Sequence, residues 1–133
     1  MTDLQRAFIS ALVYVYKNEK FSNYKRIGVA RLPTYAKKYA FSGEWNKDSI
    51  ETRSEEEKAM INSIDIYAEP GGYKIEWTER STVYIEIHMQ KGLGFHGRDG
   101  DNFKFEGRLS SSTTVDVRDY SQDKDKYVYR VTY

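Results

Sequence analysis

The sequence contains no cysteine, which removes several kinds of chemistry at once. A chain without thiols forms no disulfide, no zinc–thiolate or iron–sulfur site and no cysteine nucleophile. Its two histidines, His88 and His96, do not stand near a cluster of acidic residues, so we predict no metal site and no cofactor. No motif marks a serine or threonine as a nucleophile, and the sequence therefore assigns no catalytic residue.

Apolar runs long enough for a membrane span are also missing. Residues 1–15 carry Asp3 and Arg6, and no sustained apolar segment precedes a small-residue cleavage site, so the pattern predicts neither a signal peptide nor a membrane span. We therefore expect a cytoplasmic location. The 133 residues are an ordinary length for one domain, and we expect residues 1–133 to form a single domain.

Strong net charge is absent, but the charges are unevenly distributed along the chain. The formal net charge is +1, which argues neither for nucleic-acid binding nor against it. Lys and Arg dominate residues 1–40, whereas Asp and Glu dominate residues 41–70. Two such blocks either neutralise each other in the fold or leave a dipolar surface.

The clearest structural signal lies between Tyr73 and Met89, where apolar and polar residues alternate as in a half-buried antiparallel hairpin. The inward positions are odd-numbered in both arms, so the pairing must keep odd residues opposite odd residues. The tightest register that does so pairs Thr78 with Thr82, Ile75 with Ile85 and Lys74 with Glu86.

The same rule extends to the strands that follow, where residues 91–102 are predicted to form a long loop. This loop joins the Glu86 strand directly to the Arg108 strand. The later pairings are Leu109 with Val115, Arg108 with Asp116, Glu106 with Arg118, Val117 with Tyr129, Val115 with Val131 and Asp116 with Arg130. The resulting inner row is Ile75, Ile85, Leu109, Val115 and Val131, and the outer row alternates in charge through Lys74, Glu86, Arg108, Asp116 and Arg130.

The first half of the chain gives a helix and several weaker signals. Thr2 is a suitable cap for a first helix with one apolar stripe, which contains Leu4, Phe8, Ala11, Leu12 and Val15. Residues 27–29 suggest a short extended piece, residues 33–43 a second helix, and residues 43–53 a polar loop in which Trp45 covers one end of the core. Residues 54–57 form a capping box for a short helix, residues 64–66 alternate as a strand, and residues 69–72 predict a type II turn.

The predicted fold is α+β, a five- to six-stranded antiparallel β-meander with the N-terminal helix and a short second helix on one face. The alternative is that the same meander closes into a small β-barrel. In the open form the last strand, Tyr127 to Tyr133, is an exposed edge with few charges to protect it, and such edges pair readily with another chain.

Two groups of residues are candidate binding sites. Residues 92–97 fit the G-x-G-x-x-G pattern of dinucleotide-binding sites, but that pattern must open a helix, and here an antiparallel strand is predicted to follow. The remaining hypothesis is a glycine-rich loop whose backbone amides bind an anion. The predicted anion-binding residues are His88, Lys91, His96 and Arg98. The basic, tyrosine-rich segment 24–39 mixes cations and rings in the manner of single-stranded nucleic-acid binding, with Tyr24, Lys25, Arg26, Arg31, Tyr35, Lys37 and Lys38 as its candidates.

The leading functional hypothesis is a small non-catalytic binding protein, an inhibitor or accessory factor, that contacts a protein partner or forms a homodimer through the edge strand. One alternative is single-stranded nucleic-acid binding through residues 24–39. The other is a small enzyme or anion-binding protein at residues 91–102, with His88 as a general base oriented by Glu106.

Overall fold

A computed structural model describes residues 1–35, 37–55, 63–122 and 125–133 of the chain. In these residues ten antiparallel strands close into a barrel, and a single helix precedes them. The helix α1 spans Asp3–Lys17, and the strands are β1 (Ser22–Arg31), β2 (Lys38–Trp45), β3 (Ser49–Ser54), β4 (Ser63–Glu69), β5 (Gly72–Thr78), β6 (Thr82–Met89), β7 (Gly94–Arg98), β8 (Lys104–Leu109), β9 (Thr114–Asp119) and β10 (Asp125–Thr132).

The ends of α1 are fixed by local hydrogen bonds. The Gln5 amide donates to the Thr2 hydroxyl at 3.1 Å, and the Thr2 amide donates to the Gln5 side chain at 3.0 Å, which completes a capping box. At the other end, the backbone and side-chain N–H groups of Asn18 both donate to the Tyr14 carbonyl. The predicted cap at Thr2 is therefore confirmed.

The helix lies inside the barrel and not against one face of a sheet. All of its residues from Ala7 to Val15 are buried, so no side of these turns faces solvent. Phe8 illustrates the packing, because its ring centroid lies 5.2 Å from that of Phe41, 5.8 Å from that of Trp45 and 5.9 Å from that of Trp77. These partners come from β2 and β5, so α1 is the centre of the hydrophobic core.

The strands follow one another around the barrel, each paired with its neighbours in sequence. The barrel closes because β1 pairs with β2 on one side and with β10 on the other. The strand β10 thus has partners on both sides, and the open edge that motivated a homodimer does not exist. Among the described residues, no helix has the length and apolarity needed to cross a bilayer.

The predicted five- to six-stranded meander with two helices is wrong. Closure, the alternative, does occur, but it involves ten strands. The described part of residues 33–43 forms no second helix, because β2 begins at Lys38, and residues 43–53 belong to a β2–β3 hairpin. Trp45 is fully buried at the end of β2 and is not a lid. The predicted capping box begins at Ser54, the last residue of β3, and its remaining part lies outside the described residues.

Two of the predicted registers are confirmed residue by residue. Ile75 pairs with Ile85 in β5–β6, and Leu109 pairs with Val115 in β8–β9. The strands predicted at residues 27–29 and 64–66 and the turn before β5 are also present.

Two other registers are wrong, and each error has a physical reason. Val117 pairs with Tyr127 and not with Tyr129. A shift of two residues keeps the same side chains inward, so the apolar pattern cannot detect it. The predicted loop 91–102 contains β7, which separates β6 from β8 and places His88 opposite His96.

Replacing Phe8 with alanine tests whether α1 is the core. We expect Phe8→Ala to lower the free energy of unfolding by about 3 to 5 kcal/mol, because the strands around its ring are closed and cannot collapse into the cavity. Denaturant unfolding measures this loss. The control is Tyr84→Ala on the outer wall, where Tyr84 is 50% exposed and the expected change is within about 1 kcal/mol. Equal losses in the two variants would contradict the central position of α1.

Candidate functional site

A cluster of polar side chains closes the end of the barrel at which α1 begins. Arg6 donates from Nη1 to the Asp119 carboxylate at 3.0 Å and from Nε to the Tyr129 hydroxyl at 3.1 Å. The Tyr129 hydroxyl in turn donates to Asp3 at 2.6 Å. Arg6, Asp119 and Tyr129 are all buried, so the helix and the last two strands are joined by polar groups that are largely shielded from water.

The environment of these groups shifts their pKa values in opposite directions. Burial alone would raise the pKa of Asp119, but hydrogen bonds from Ser121 and Arg6 outweigh it and leave the pKa below its ordinary value. The pKa of Asp3 is also lowered, since bonds from Tyr129 and Tyr39 and the charge of Arg6 overcome burial. Burial and the neighbouring Asp3 raise the pKa of Tyr129. The carboxylates are thus held ionised and the phenol neutral.

The cluster reaches the surface through Arg31 and Tyr127. The guanidinium carbons of Arg6 and Arg31 lie 3.9 Å and 4.9 Å from the centroid of the Tyr127 ring, which is cation–π geometry. Arg31 also contacts Asp3 at 3.4 Å. An open depression of about 570 Å³ adjoins this place, lined by Arg31, Leu32, Pro33, Lys126, Tyr127 and Val128.

The alternation of inward and outward residues along the described strands shows which charged side chains face outward. These outward charges are divided by sign between two halves of the barrel wall. We call strands β7 to β10, β1 and the first part of β2 the cationic half, and the end of β2 with β3 to β6 the anionic half. The cationic half presents Arg26, Lys38, Arg98, Lys104, Arg108, Arg118, Lys126 and Arg130 together with Glu106 and Asp116. The anionic half presents Glu44, Glu51, Asp65, Glu69, Glu76 and Glu86 together with Arg53 and Lys74.

Carboxylates oppose one another directly across the anionic half. Glu44 is paired with Glu51, Glu51 with Asp65, and Asp65 with Glu76. Like charges at directly opposed positions destabilise a sheet. Within the described residues, however, no group of three or more His, Asp or Glu side chains has the arrangement of a metal site.

The structure brings only part of the predicted anion site together. The rings of His88 and His96 stack with centroids 5.3 Å apart, and Nδ1 of His96 is 3.0 Å from Nε2 of Gln90. Arg98 ends β7 on the same outer wall and donates to the Asn102 carbonyl, whereas Lys91 lies in the turn before β7. The glycine-rich stretch forms most of β7 and no free loop, which removes the premise of the anion cradle.

The predicted nucleic-acid residues lie on the cationic half but at its two ends. Tyr24 is 71% exposed, and Nζ of Lys25 lies 4.5 Å from the Tyr133 ring. Arg26 is paired with Glu55 at 2.6 Å. The rest of the set lies at the opposite end of β1 and β2. There Arg31 joins the polar cluster, Tyr35 accepts a hydrogen bond from Arg130, and Lys37 and Lys38 are exposed.

Neither the polar cluster nor the part of the cationic half that β8 and β9 form was identified from the sequence. In the sequence, Arg6 is one polar residue of a helix that is predicted to have a single apolar stripe, so it is expected to face solvent. It is buried only because the barrel encloses α1. Arg108 and Arg118 were assigned as members of ion pairs with Asp116 and Glu106. Their registers are right, but the carboxylates bind other partners. The signal that could have revealed the enclosed helix is the almost uninterrupted apolar run from Ala7 to Val15.

Comparisons of the chain with protein-family models, with curated proteins and with solved structures found no match.

Replacing Asp119 with asparagine tests the polar cluster through pH. Because the pKa of Asp119 is lowered in the folded state, its ionised form stabilises the fold above about pH 4, and this contribution is lost as the pH falls through the folded pKa. We expect Asp119→Asn to lower the free energy of unfolding at neutral pH by about 3 kcal/mol, since Arg6 loses a buried partner. The gap to the unmodified protein should shrink below pH 4.

The matched control lies on the same strand. Asp116 faces outward and pairs with Lys126 at 3.3 Å, so Asp116→Asn should change stability at neutral pH by less than about 1 kcal/mol. Denaturant unfolding at a series of pH values measures both variants. A constant gap between Asp119→Asn and the unmodified protein across the acid range would contradict the assigned role of Asp119.

Proposed function

We propose that this chain is a non-catalytic binding protein that engages single-stranded nucleic acid through the cationic half of its barrel. The observation that carries the proposal is the separation of outward charges into two halves of one wall. A polyanion is attracted to one half and repelled by the other, so the protein's own field orients it.

Exposed aromatic rings support this choice of polyanion. Tyr24 on β1 is 71% exposed, Phe103 just before β8 is 50% exposed, and Tyr35 in the β1–β2 connection is 39% exposed. Tyr35 accepts a hydrogen bond from Arg130, and Tyr24 and Phe103 directly precede Lys25 and Lys104 in the sequence. Bases of a single strand stack on such rings, and stacking combined with a basic surface is the usual basis of sequence-tolerant binding.

The filled interior also favours a role for the outer surface. Barrels of this kind often hold a small molecule along their axis, but here side chains of α1 such as Phe8 and Leu12 occupy that space. The groups of the polar cluster with shifted pKa values are bound within that cluster, because Tyr129 donates to Asp3 and Arg6 donates to both Asp119 and Tyr129. Their role in closing the barrel is a sufficient explanation for their presence.

The test is the binding of a labelled oligothymidylate of about 15 nucleotides, measured by fluorescence anisotropy over a range of salt concentrations. The logarithm of the affinity should fall linearly with the logarithm of the salt concentration, by a slope of about 0.7 for each phosphate contacted. Lys38 and Arg130 flank Ala30 on the wall, so Lys38→Gln combined with Arg130→Gln should weaken binding and reduce the slope.

The matched control removes the same charge from the anionic half. Arg53→Gln combined with Lys74→Gln changes the net charge equally but should leave binding unchanged or slightly weaker, because these residues do not belong to the cationic half. Absence of binding at low salt, or equal losses in the two double variants, would contradict the proposal.

A basic protein surface is a second candidate partner, favoured by the directly opposed carboxylates of the anionic half. A second copy of the chain offers such a surface in its cationic half. This mode of self-association needs no open strand edge, and it relieves the repulsion between residues such as Glu44 and Glu51.

Light scattering at low and high salt tests the second candidate. The solution mass should exceed that of one chain at low salt and return to it at high salt. Glu44→Gln combined with Glu51→Gln should abolish the increase, whereas Glu19→Gln combined with Asp101→Asn, which removes equal charge from exposed turns, should not. A mass of one chain at every salt concentration would eliminate this candidate.

A further inference from the structure

A shallow groove crosses the outer faces of β8, β9 and β10 within the cationic half. Its volume is about 320 Å³, and it is open to solvent along its length. The side chains along it include Arg108 from β8, Arg118 from β9 and Lys126 from β10, together with Glu106 and Asp116. Three adjacent strands thus contribute one cation each.

The backbone beneath the groove requires a glycine. A Cβ atom added to Gly107 would lie 1.8 Å from the Asp116 carbonyl oxygen and 2.7 Å from Cζ of Phe95. No other residue therefore permits β8 and β9 to approach each other in this way. The groove is a fixed feature of the wall, since Gly107 and Phe95 line it between the charged side chains.

The carboxylates along the groove are already engaged. Glu106 accepts a hydrogen bond from the Tyr120 hydroxyl and lies 3.5 Å from Nζ of Lys104. Asp116 lies 3.3 Å from Nζ of Lys126 and accepts a hydrogen bond from the Ser110 hydroxyl at 3.2 Å. Lys104 therefore offsets part of the charge of Glu106, on which Arg118 also acts, and Lys126 offsets that of Asp116. The three cations that line the groove still outnumber its two carboxylates.

Both arginines keep capacity for an added anion. The Arg108 side chain is exposed and, within the described residues, makes neither a hydrogen bond nor an ion pair, although Asp116 lies directly opposite in the register. Arg118 is exposed and acts on Tyr120 through its charge and one side-chain hydrogen bond, both of which lower the pKa of that phenol against the larger effect of Glu106, and its other donors are available. A guanidinium has a planar fork of donors that matches two oxygens of one phosphate.

A second depression adjoins the groove. The depression beside Arg31 and Tyr127 is lined in part by Lys126, which also lines the groove. We call the two neighbouring depressions the track, with Arg108 and Arg118 in the first and Arg31 in the second. Leu32 and Pro33 add apolar surface at the Arg31 end. A track with repeated cations fits a linear polymer better than a compact anion.

We infer that the groove at Arg108 and Arg118 is a phosphate subsite for the phosphodiester backbone of a single strand, which continues along the track past Lys126 towards Arg31. This inference rests on the proposed function and adds to it a location and a mode of contact. The phosphate oxygens accept hydrogen bonds from the guanidinium forks, and the strand is held open to solvent because the track is shallow.

The experiment compares variants that remove the charge of a groove arginine with variants that replace the arginine by lysine and keep its charge. With the same labelled oligothymidylate, Arg108→Gln should weaken binding about tenfold, as expected for a charge-assisted hydrogen bond. Arg108→Lys keeps the charge but lacks the fork, so it should recover only part of the affinity while the salt dependence stays that of the unmodified protein. Arg118→Lys should behave in the same way. Both substituted side chains are exposed, so the variants are expected to fold, and an unfolding curve that matches the unmodified protein's confirms this.

The control is Arg53→Lys, an exposed arginine of the anionic half, which should bind as the unmodified protein does. Full affinity in Arg108→Lys and Arg118→Lys would overturn the subsite, because charge alone would then suffice, while the proposed function would survive. Complete failure of the unmodified protein to bind the oligonucleotide would remove the proposed function and the subsite together. Equal displacement by polyglutamate would assign the track to an acidic polypeptide and would also overturn the subsite.

Discussion

The enclosure of α1 by the sheet determines how wide the barrel interior must be and therefore how many strands form its wall. An α-helix with its side chains is about 10 to 12 Å wide, and a barrel of about eight strands has an interior just wide enough to be filled by its own side chains. Ten strands give the additional room that α1 needs. Large inward rings then fill the space between helix and wall, as Trp45, Trp77 and Tyr73 do. Because α1 is apolar all round, it must be enclosed, and a wall of ten strands is wide enough to enclose it.

An enclosed helix leaves a second problem at its first turn, where backbone N–H groups have no partner within the helix. Thr2 satisfies one of them, and the carboxylate of Asp3 suits the positive end of the helix dipole. Asp3 is itself held by Tyr129 and Tyr39, and Arg6 links the helix to Asp119 on β9. The polar cluster therefore closes the barrel and fixes the helix at one depth and rotation. Because the partners come from three separate strands, the cluster forms only when the barrel is closed.

The features that could be predicted from the sequence are those determined by neighbours in the chain. The β5–β6 and β8–β9 registers were correct because a tight turn and an apolar alternation leave one choice. The β9–β10 register was wrong because a shift of two residues preserves the alternation. The strands β1 to β3 were obscured for another reason. Their inward positions are odd in β1 and β2 but even in β3, and glycine replaces a side chain at Gly43, so no single period runs through them.

The acidic block at residues 41–70 indicated a dipolar surface as one of two outcomes. The strands that make up each charge half could not be predicted, because they depend on which strands become neighbours when the barrel closes. Arg26 and Arg130 are distant in sequence and come to lie on neighbouring strands only through the β1–β10 pairing, while the acidic residues meet through β2 to β5. Opposed carboxylates cost stability, and a core this large can tolerate that cost without loss of the fold. Since the inward positions are used for packing α1, the outward positions are where residue choice is free. Charge segregated there, against its own repulsion, is the observation on which the proposed binding of a partner of opposite charge rests.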